Sequence, residues 1–141
     1  MYKNLKGIYN MMRILILEDA IFKREQITDF LETKNIEYVT YEYVLPALKD
    51  ITKNKDFISG IILDLGLQSS IDAPETYSLQ KGLDVIRELS RKKINIPVLV
   101  NSSTEVRVLN RYPCVYGQRK QIDDYQILED FINFLKDKKK Q

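Results

Sequence analysis

The feature that most constrains this chain is a set of short apolar runs, each ending at a polar or acidic residue and each followed by an amphipathic stretch. "RILILED" at 13–19 stops at Glu18 and Asp19, "SGIILDLG" at 59–66 is closed by Asp64 and Gly66, and "INIPVLVNSS" at 94–103 ends in Ser102 and Ser103. Continuous apolar runs this short suit strands buried on both faces; a strand with one wet face would alternate. Between them lie helical patterns. "AIFKREQITDFLETK" places Ile27, Phe30 and Leu31 at i, i+3 and i+4, "GLDVIRELSRKK" at 82–93 reads as a second helix, and residues 123–138 as a last one through Ile127, Leu128, Phe131, Ile132 and Leu135. "IEYVTYEY" at 36–43 is a β-branched and aromatic strand, and "LPALKDITKN" a short helix that tolerates Pro46 in its first turn. The pattern weakens near the end. "TEVRVLNRYP" is at best a brief helix cut off by Pro113, and "CVYG" a short strand.

Strands that alternate with helices predict a parallel sheet covered on both faces, because parallel neighbours need right-handed crossovers and helices supply them. The expected class is α/β, a doubly wound five-stranded sheet. In such sheets ligands sit outside the carboxyl ends of the strands. Glu18, Asp19, Asp64 and Ser102 would all converge on that rim. Three carboxylates gathered there repel one another and lose hydration unless a cation or proton compensates. Mg²⁺ is the natural remedy: it takes oxygen ligands, keeps several waters, and is typically held by one or two carboxylates plus phosphate. The pattern therefore anticipates a phosphoryl group, with a strand-end hydroxyl and a lysine to contact its oxygens.

Composition bounds the partners. A chain of 141 residues, 44% hydrophobic and 30% charged, suits one compact domain. Its 22 basic and 20 acidic residues give a net charge of +2, which argues neither for nor against nucleic acid, and direct nucleic-acid contact is not expected. The lysines of "KDKKKQ" at 136–141 suit the negative end of a helix dipole. Cys114 is the single cysteine and there is no histidine, so neither an internal disulfide nor the usual zinc ligand sets can form. A reducing, cytoplasmic setting is expected. No apolar run approaches the roughly 18 residues of a membrane span, and "MYKNLKGIYNMM" lacks the apolar core of a secretory signal. Residues 1–12 read as an extension ahead of a domain at 13–141.

"ILILED", "IILDLG", "IPVLVNSS" and "RKQIDDYQILEDFINFL" resemble the signature segments of the receiver domain of two-component response regulators, from about residue 13 to the end of the chain. The resemblance implies a flavodoxin-like sheet in the order 2-1-3-4-5. It implies that Asp64 is the phosphoacceptor, and that Glu18, Asp19, Asp64 and the carbonyl of Gly66 bind Mg²⁺. The hydroxyl five residues after the proline of "IPV" becomes Ser102, and the lysine ahead of an acidic helix start becomes Lys120, with Gln121 where the family has proline. A sensor histidine kinase or phosphotransfer protein would donate the phosphoryl group and a downstream protein would read the product. Such a domain promotes its own phosphorylation and dephosphorylation and is not a turnover enzyme. With no output domain after the last helix, the signal is expected to pass by protein contact.

There are departures. "LGLQSSIDAPETYSLQK" makes the loop at 67–81 longer than the family norm by about ten residues, an excess of a kind that usually carries function or mobility, and Gln68 replaces a common proline. The stretch from Ser102 to Lys120 is short, so a shortened fourth helix is expected, and the family's aromatic switch position falls near Tyr116 or Gly117.

Plainer roles stand beside these. Asp19 alone reads equally well as a helix cap or turn former. Ser102 is a candidate cap for the next short helix, Lys120 a candidate solvated lysine, and the loop around Tyr77 a solvated insertion. The apolar stripe of the last helix is core first and a homodimer face second. Two other functions compete: a pseudo-receiver acting as a phosphorylation-independent interaction module, and a Mg²⁺-dependent phosphohydrolase. The second is distant because "DLG" offers no further acid two residues after Asp64. A dinucleotide site is weaker still, since "LEDAIFK" contains no glycine.

Overall fold

The computed structural model describes residues 12–66, 79–103 and 106–139, with the backbone alone for 79–81. The elements run β1 (Arg13–Leu17), α1 (Ile21–Thr33), β2 (Glu37–Tyr41), α2 (Val44–Asn54), β3 (Gly60–Leu63), α3 (Leu79–Arg91), β4 (Val98–Asn101), β5 (Val115–Arg119) and α4 (Tyr125–Lys139). Short 3-10 turns lie at Lys55–Phe57 and Arg107–Arg111. The five strands form one sheet in the order β2-β1-β3-β4-β5, every pair parallel.

The two-residue period of the strands divides their side chains between two cores. Leu15, Leu17, Ile61, Leu63, Val98 and Val100 face α2 and α3, packing with Ala47, Ile51, Ile86 and Leu89. Ile14, Ile16, Ile62 and Leu99 face α1 and α4, packing with Ile27, Leu31, Leu128, Phe131 and Leu135. Each fully buried side chain of this size contributes about 1.5–3 kcal/mol relative to exposure. That division explains the apolar runs: neither side of β1, β3 or β4 meets water. Gly60 opens β3 where α4 crosses closely, for a Cβ there would lie 2.6 Å from Leu135 Cδ1.

Two helices end in the same way. Asn35 and Lys93 both take φ of 56°, and the next residues reach back five positions, Ile36 N–H to the Leu31 carbonyl at 3.0 Å and Ile94 N–H to the Leu89 carbonyl at 2.9 Å. Ile36 and Ile94 are buried behind these turns, so each closure satisfies a helix carbonyl and feeds the chain into the next strand with an apolar anchor.

The expected class and strand order are those observed. The stretch at 107–111 is only a 3-10 turn, which fits the shortened fourth helix. β5 is longer than the expected "CVYG" and runs on to Arg119, because polar Gln118 and Arg119 still pair with β4. α3 begins at Leu79 rather than 82. α4 begins at Tyr125 rather than 123, since the Asp124 carboxylate accepts from Ile127 N–H at 3.2 Å and serves as the cap. Residues 1–11 of the expected extension at 1–12, and most of the long loop, residues 67–78 with Gln68 and Tyr77, lie outside the described residues. No helix among the described residues is long and apolar enough to cross a membrane.

Candidate functional site

Register places the acids. β1 and β3 are neighbours with Leu17 opposite Leu63, so the residues that follow, Glu18 and Asp64, leave the sheet side by side. Their backbones are still tied to the ladder, Glu18 N–H donating to the Tyr41 carbonyl at 3.0 Å and Asp64 N–H to the Leu17 carbonyl at 2.9 Å. Asp19 follows immediately. Carboxylate oxygens of Glu18, Asp19 and Asp64 all lie within 4.8 Å of one another. Glu18 is 1% exposed and Asp64 7%, while Asp19 is half-buried.

Each buried carboxyl is oriented by N–H groups. Glu18 Oε2 accepts from Ala20 N–H at 3.3 Å and Oε1 from the Asn101 side-chain amide at 3.3 Å. Asp64 Oδ1 accepts from Leu65 N–H at 2.9 Å. Burial, then the charge of Asp64, pushes Glu18 up to about 8. Asp64 is also raised, by burial first, with Lys23 and the hydrogen bond from Glu18 pulling the other way. Both carboxyls are therefore biased toward their protonated forms by the burial they share. Three oxygen donors in reach of one another, with more negative charge than the buried rim favours, are what a hard divalent cation would take up. The residues present fit such an ion.

The remaining expected residues take defined places on the rim. Ser102 is buried at the end of β4, its N–H donating to the Arg119 carbonyl at 3.1 Å and its carbonyl accepting from the Gln118 side chain at 2.7 Å. Lys120 is exposed and directly follows β5, whose Arg119 pairs with Asn101, so Ser102 and Lys120 leave adjacent strands together. Gly66 stands two residues beyond Asp64 and is partly buried. Ser103 is exposed. Tyr116, one of the two switch candidates, turns toward α4, its ring 5.2 Å from Phe131 and 4.9 Å from Phe134. It sits where the β4–β5 register slips between Val98 and Leu99, an irregularity that re-aims side chains along the strand.

Three contributors escaped the sequence reading. Lys23, in the first turn of α1, is the cation whose charge acts on both Glu18 and Asp64. Asn101 bonds Glu18, and Arg119, 1% exposed, bonds Asn101. A polar residue closing the apolar run "VLVN" was the available signal for Asn101. Arg119 was hidden because its strand was read as ending at Gly117. Helix α3 also bears on the site: Gly82 N–H donates to the Leu65 carbonyl at 3.0 Å, and a Cβ on Gly82 would lie 2.3 Å from Leu65 Cα and 2.8 Å from the Asp64 carbonyl oxygen.

No family model matches this sequence, and no curated protein matches it. Solved structures do, among them several receiver domains. A signal receiver domain from Vibrio parahaemolyticus superposes with a TM-score of 0.72 at 18% identity, covering 92% of this chain and 93% of its own. The response regulator TrrA from Thermotoga maritima, solved with Mg²⁺ and BeF, gives 0.68 at 21% identity over 89% of this chain and 99% of its own. The receiver domain of a sensor histidine kinase from Pseudomonas aeruginosa, with a magnesium ion in its active-site cleft, gives 0.67 at 13% identity over 89% and 97%. At these identities the likeness establishes the fold: the chain is folded as a response-regulator receiver domain.

Proposed function

We propose that this receiver-fold chain is a phosphoacceptor, taking a phosphoryl group from the phosphohistidine of a sensor kinase or phosphotransfer protein onto Asp64 in a Mg²⁺-dependent reaction. The observation that carries the proposal is the buried Glu18–Asp64 pair, with Asp19 beside it, at the carboxyl end of the sheet. The receiver fold and the Mg²⁺ named for two of its structural neighbours support it.

The chemistry follows from the orientation of Asp64. With Oδ1 tied to Leu65 N–H, the other carboxylate oxygen is the nucleophile. Its bond to phosphorus forms as the phosphorus–nitrogen bond to the donor histidine breaks, and the imidazole leaves with the electron pair. Glu18, Asp19 and Asp64, with the Gly66 carbonyl, would hold Mg²⁺, which when bound would supply positive charge for the phosphoryl oxygens and let Glu18 and Asp64 be ionised together. The Ser102 hydroxyl and the Lys120 ammonium contact the transferred oxygens. All of this is positioning and electrostatics, which is what phosphoryl transfer asks of a protein. The chain modifies itself and processes no separate substrate. A cytoplasmic protein partner reads the result.

The specific feature favouring a phosphorylation-independent interaction module is the 3-10 turn at Arg107–Arg111, which leaves little of the fourth helix for a switch to move. The two are separated by exposing the protein to a small phosphodonor with Mg²⁺ and weighing it intact: an acceptor gains one phosphate, a module none.

A further inference from the structure

Arg119 is the largest fully buried side chain among the described residues, and its environment is unusual for a buried cation. Its Nε donates to the Asp124 carbonyl at 3.0 Å, Nη1 to the Asn101 side-chain oxygen at 3.0 Å, and Nη2 to the Ile122 carbonyl. The guanidinium carbon lies 5.6 Å from the centre of the Tyr125 ring. The oxygens it hydrogen-bonds are thus two main-chain carbonyls and one amide, with the charges of Asp124 and Asp123 acting on it from the turn. Burying a guanidinium is costly unless its donors and charge are used.

Asn101 shows what one of its donors does. Arginine is only a donor, so the amide oxygen must face Arg119, and the amide nitrogen then necessarily faces Glu18, to which it donates at 3.3 Å. The amide can bond both neighbours in this one orientation. Arg119 fixes it, and the N–H so directed holds one of the two oxygens of an acid in the cation pocket. The same guanidinium closes the turn between β5 and α4, through the carbonyls of Ile122 and Asp124, immediately after Lys120.

We propose that Arg119 and Asn101 are positioning residues for the cation pocket: the buried guanidinium orients the Asn101 amide, the amide holds Glu18 as a ligand, and cation binding is thereby coupled to the β5–α4 turn. The proposal rests on the cation-pocket reading above and extends it to a route by which occupancy is felt two strands away. Coupling of this kind is reciprocal, so a looser turn weakens the ion and a bound ion tightens the turn.

The test is a Mg²⁺ titration of the full chain, followed by calorimetry and by amide NMR. In the wild type the amides of Ile122 and Asp124 shift with the same midpoint as those of Asp64 and Leu65. Asn101→Leu weakens Mg²⁺ about 10-fold or more, as loss of an outer-shell partner does, and silences the response at 122–124. Arg119→Met weakens it comparably alone but adds nothing in the Asn101→Leu background, an outcome that general destabilisation would not produce. If Arg119→Met fails to fold, Arg119→Lys keeps the charge without the planar fork and is expected to lose the coupled shift. Wild-type affinity in Asn101→Leu, or additive effects of the two changes, overturns the proposal. A wild type that binds Mg²⁺ and shows the coupling but gains no phosphate keeps the proposal and removes only the acceptor function; a wild type that binds no Mg²⁺ removes both.

Discussion

Glu18 and Asp64 stand side by side at the ends of two adjacent strands, their carboxylate oxygens within 4.8 Å of each other, and each is pushed toward its protonated form first by burial. Two carboxyls side by side out of water are costly, and either a proton or a bound cation would offset their repulsion.

Stability should therefore depend on pH in a definite direction. Glu18 rises from an ordinary 4.5 to about 8 on folding. Between those values the native state keeps a proton that the unfolded chain releases, so the contribution of Glu18 is fully present below 4.5 and is lost as pH rises through about 8. Urea unfolding of the metal-free protein should show stability falling between pH 5 and 8, by an amount on the order of a few kcal/mol that Glu18→Gln largely removes.

The same proton competes with the metal. Binding an ion to ionised Glu18 displaces it, so Mg²⁺ affinity should rise roughly tenfold per pH unit below about 8 and level off above it. Calorimetry in buffers of different ionisation enthalpy would count the proton released.

Asp64→Asn removes the charge that, after burial, does most to raise Glu18. The Glu18 titration should move down and the metal-free variant should be more stable than wild type at pH 8, measured by carboxyl ¹³C NMR and thermal unfolding. Lys23→Met should move that titration the other way, because the Lys23 charge lowers it.

Gly82→Ala tests how α3 supports the acceptor. The added methyl meets the backbone of Asp64 and Leu65, at 2.8 Å from both carbonyl oxygens and 2.3 Å from the Leu65 Cα, and backbone cannot rotate aside as a side chain would. The expected cost is on the order of 1–3 kcal/mol in stability, together with weakened Mg²⁺ binding. Unchanged stability and affinity in this variant would show that α3 gives way without disturbing Asp64.

Much of this was legible because the sheet is buried on both faces. Each of β1, β3 and β4 appears in the sequence as an apolar run, and the first polar residue after it, Glu18, Asp64 or Asn101, marks the rim; Asp19 and Ser102 come one residue further on, and Asn101 was passed over in favour of Ser102. β5 lies at the sheet edge and is only partly buried, so "VYGQR" carries no such run, and its end was placed two residues early. Arg119 was lost with it. Lys23 escaped for another reason: its distance from the acids is set by the angle at which α1 leaves Ala20, anchored by Arg24 donating to the Glu18 carbonyl at 3.1 Å, and that angle is tertiary information. Gly82 reads as an ordinary helix start until the backbone it touches is known.

The most direct measurement is the intact mass of the protein after incubation with Mg²⁺ and a small phosphodonor, beside Asp64→Asn and a sample with the metal chelated. One added phosphate in the wild type, and none in either control, is the expected result. An adduct that persists in Asp64→Asn, or a wild type that binds Mg²⁺ yet stays unmodified, would contradict the assignment of Asp64 as the acceptor.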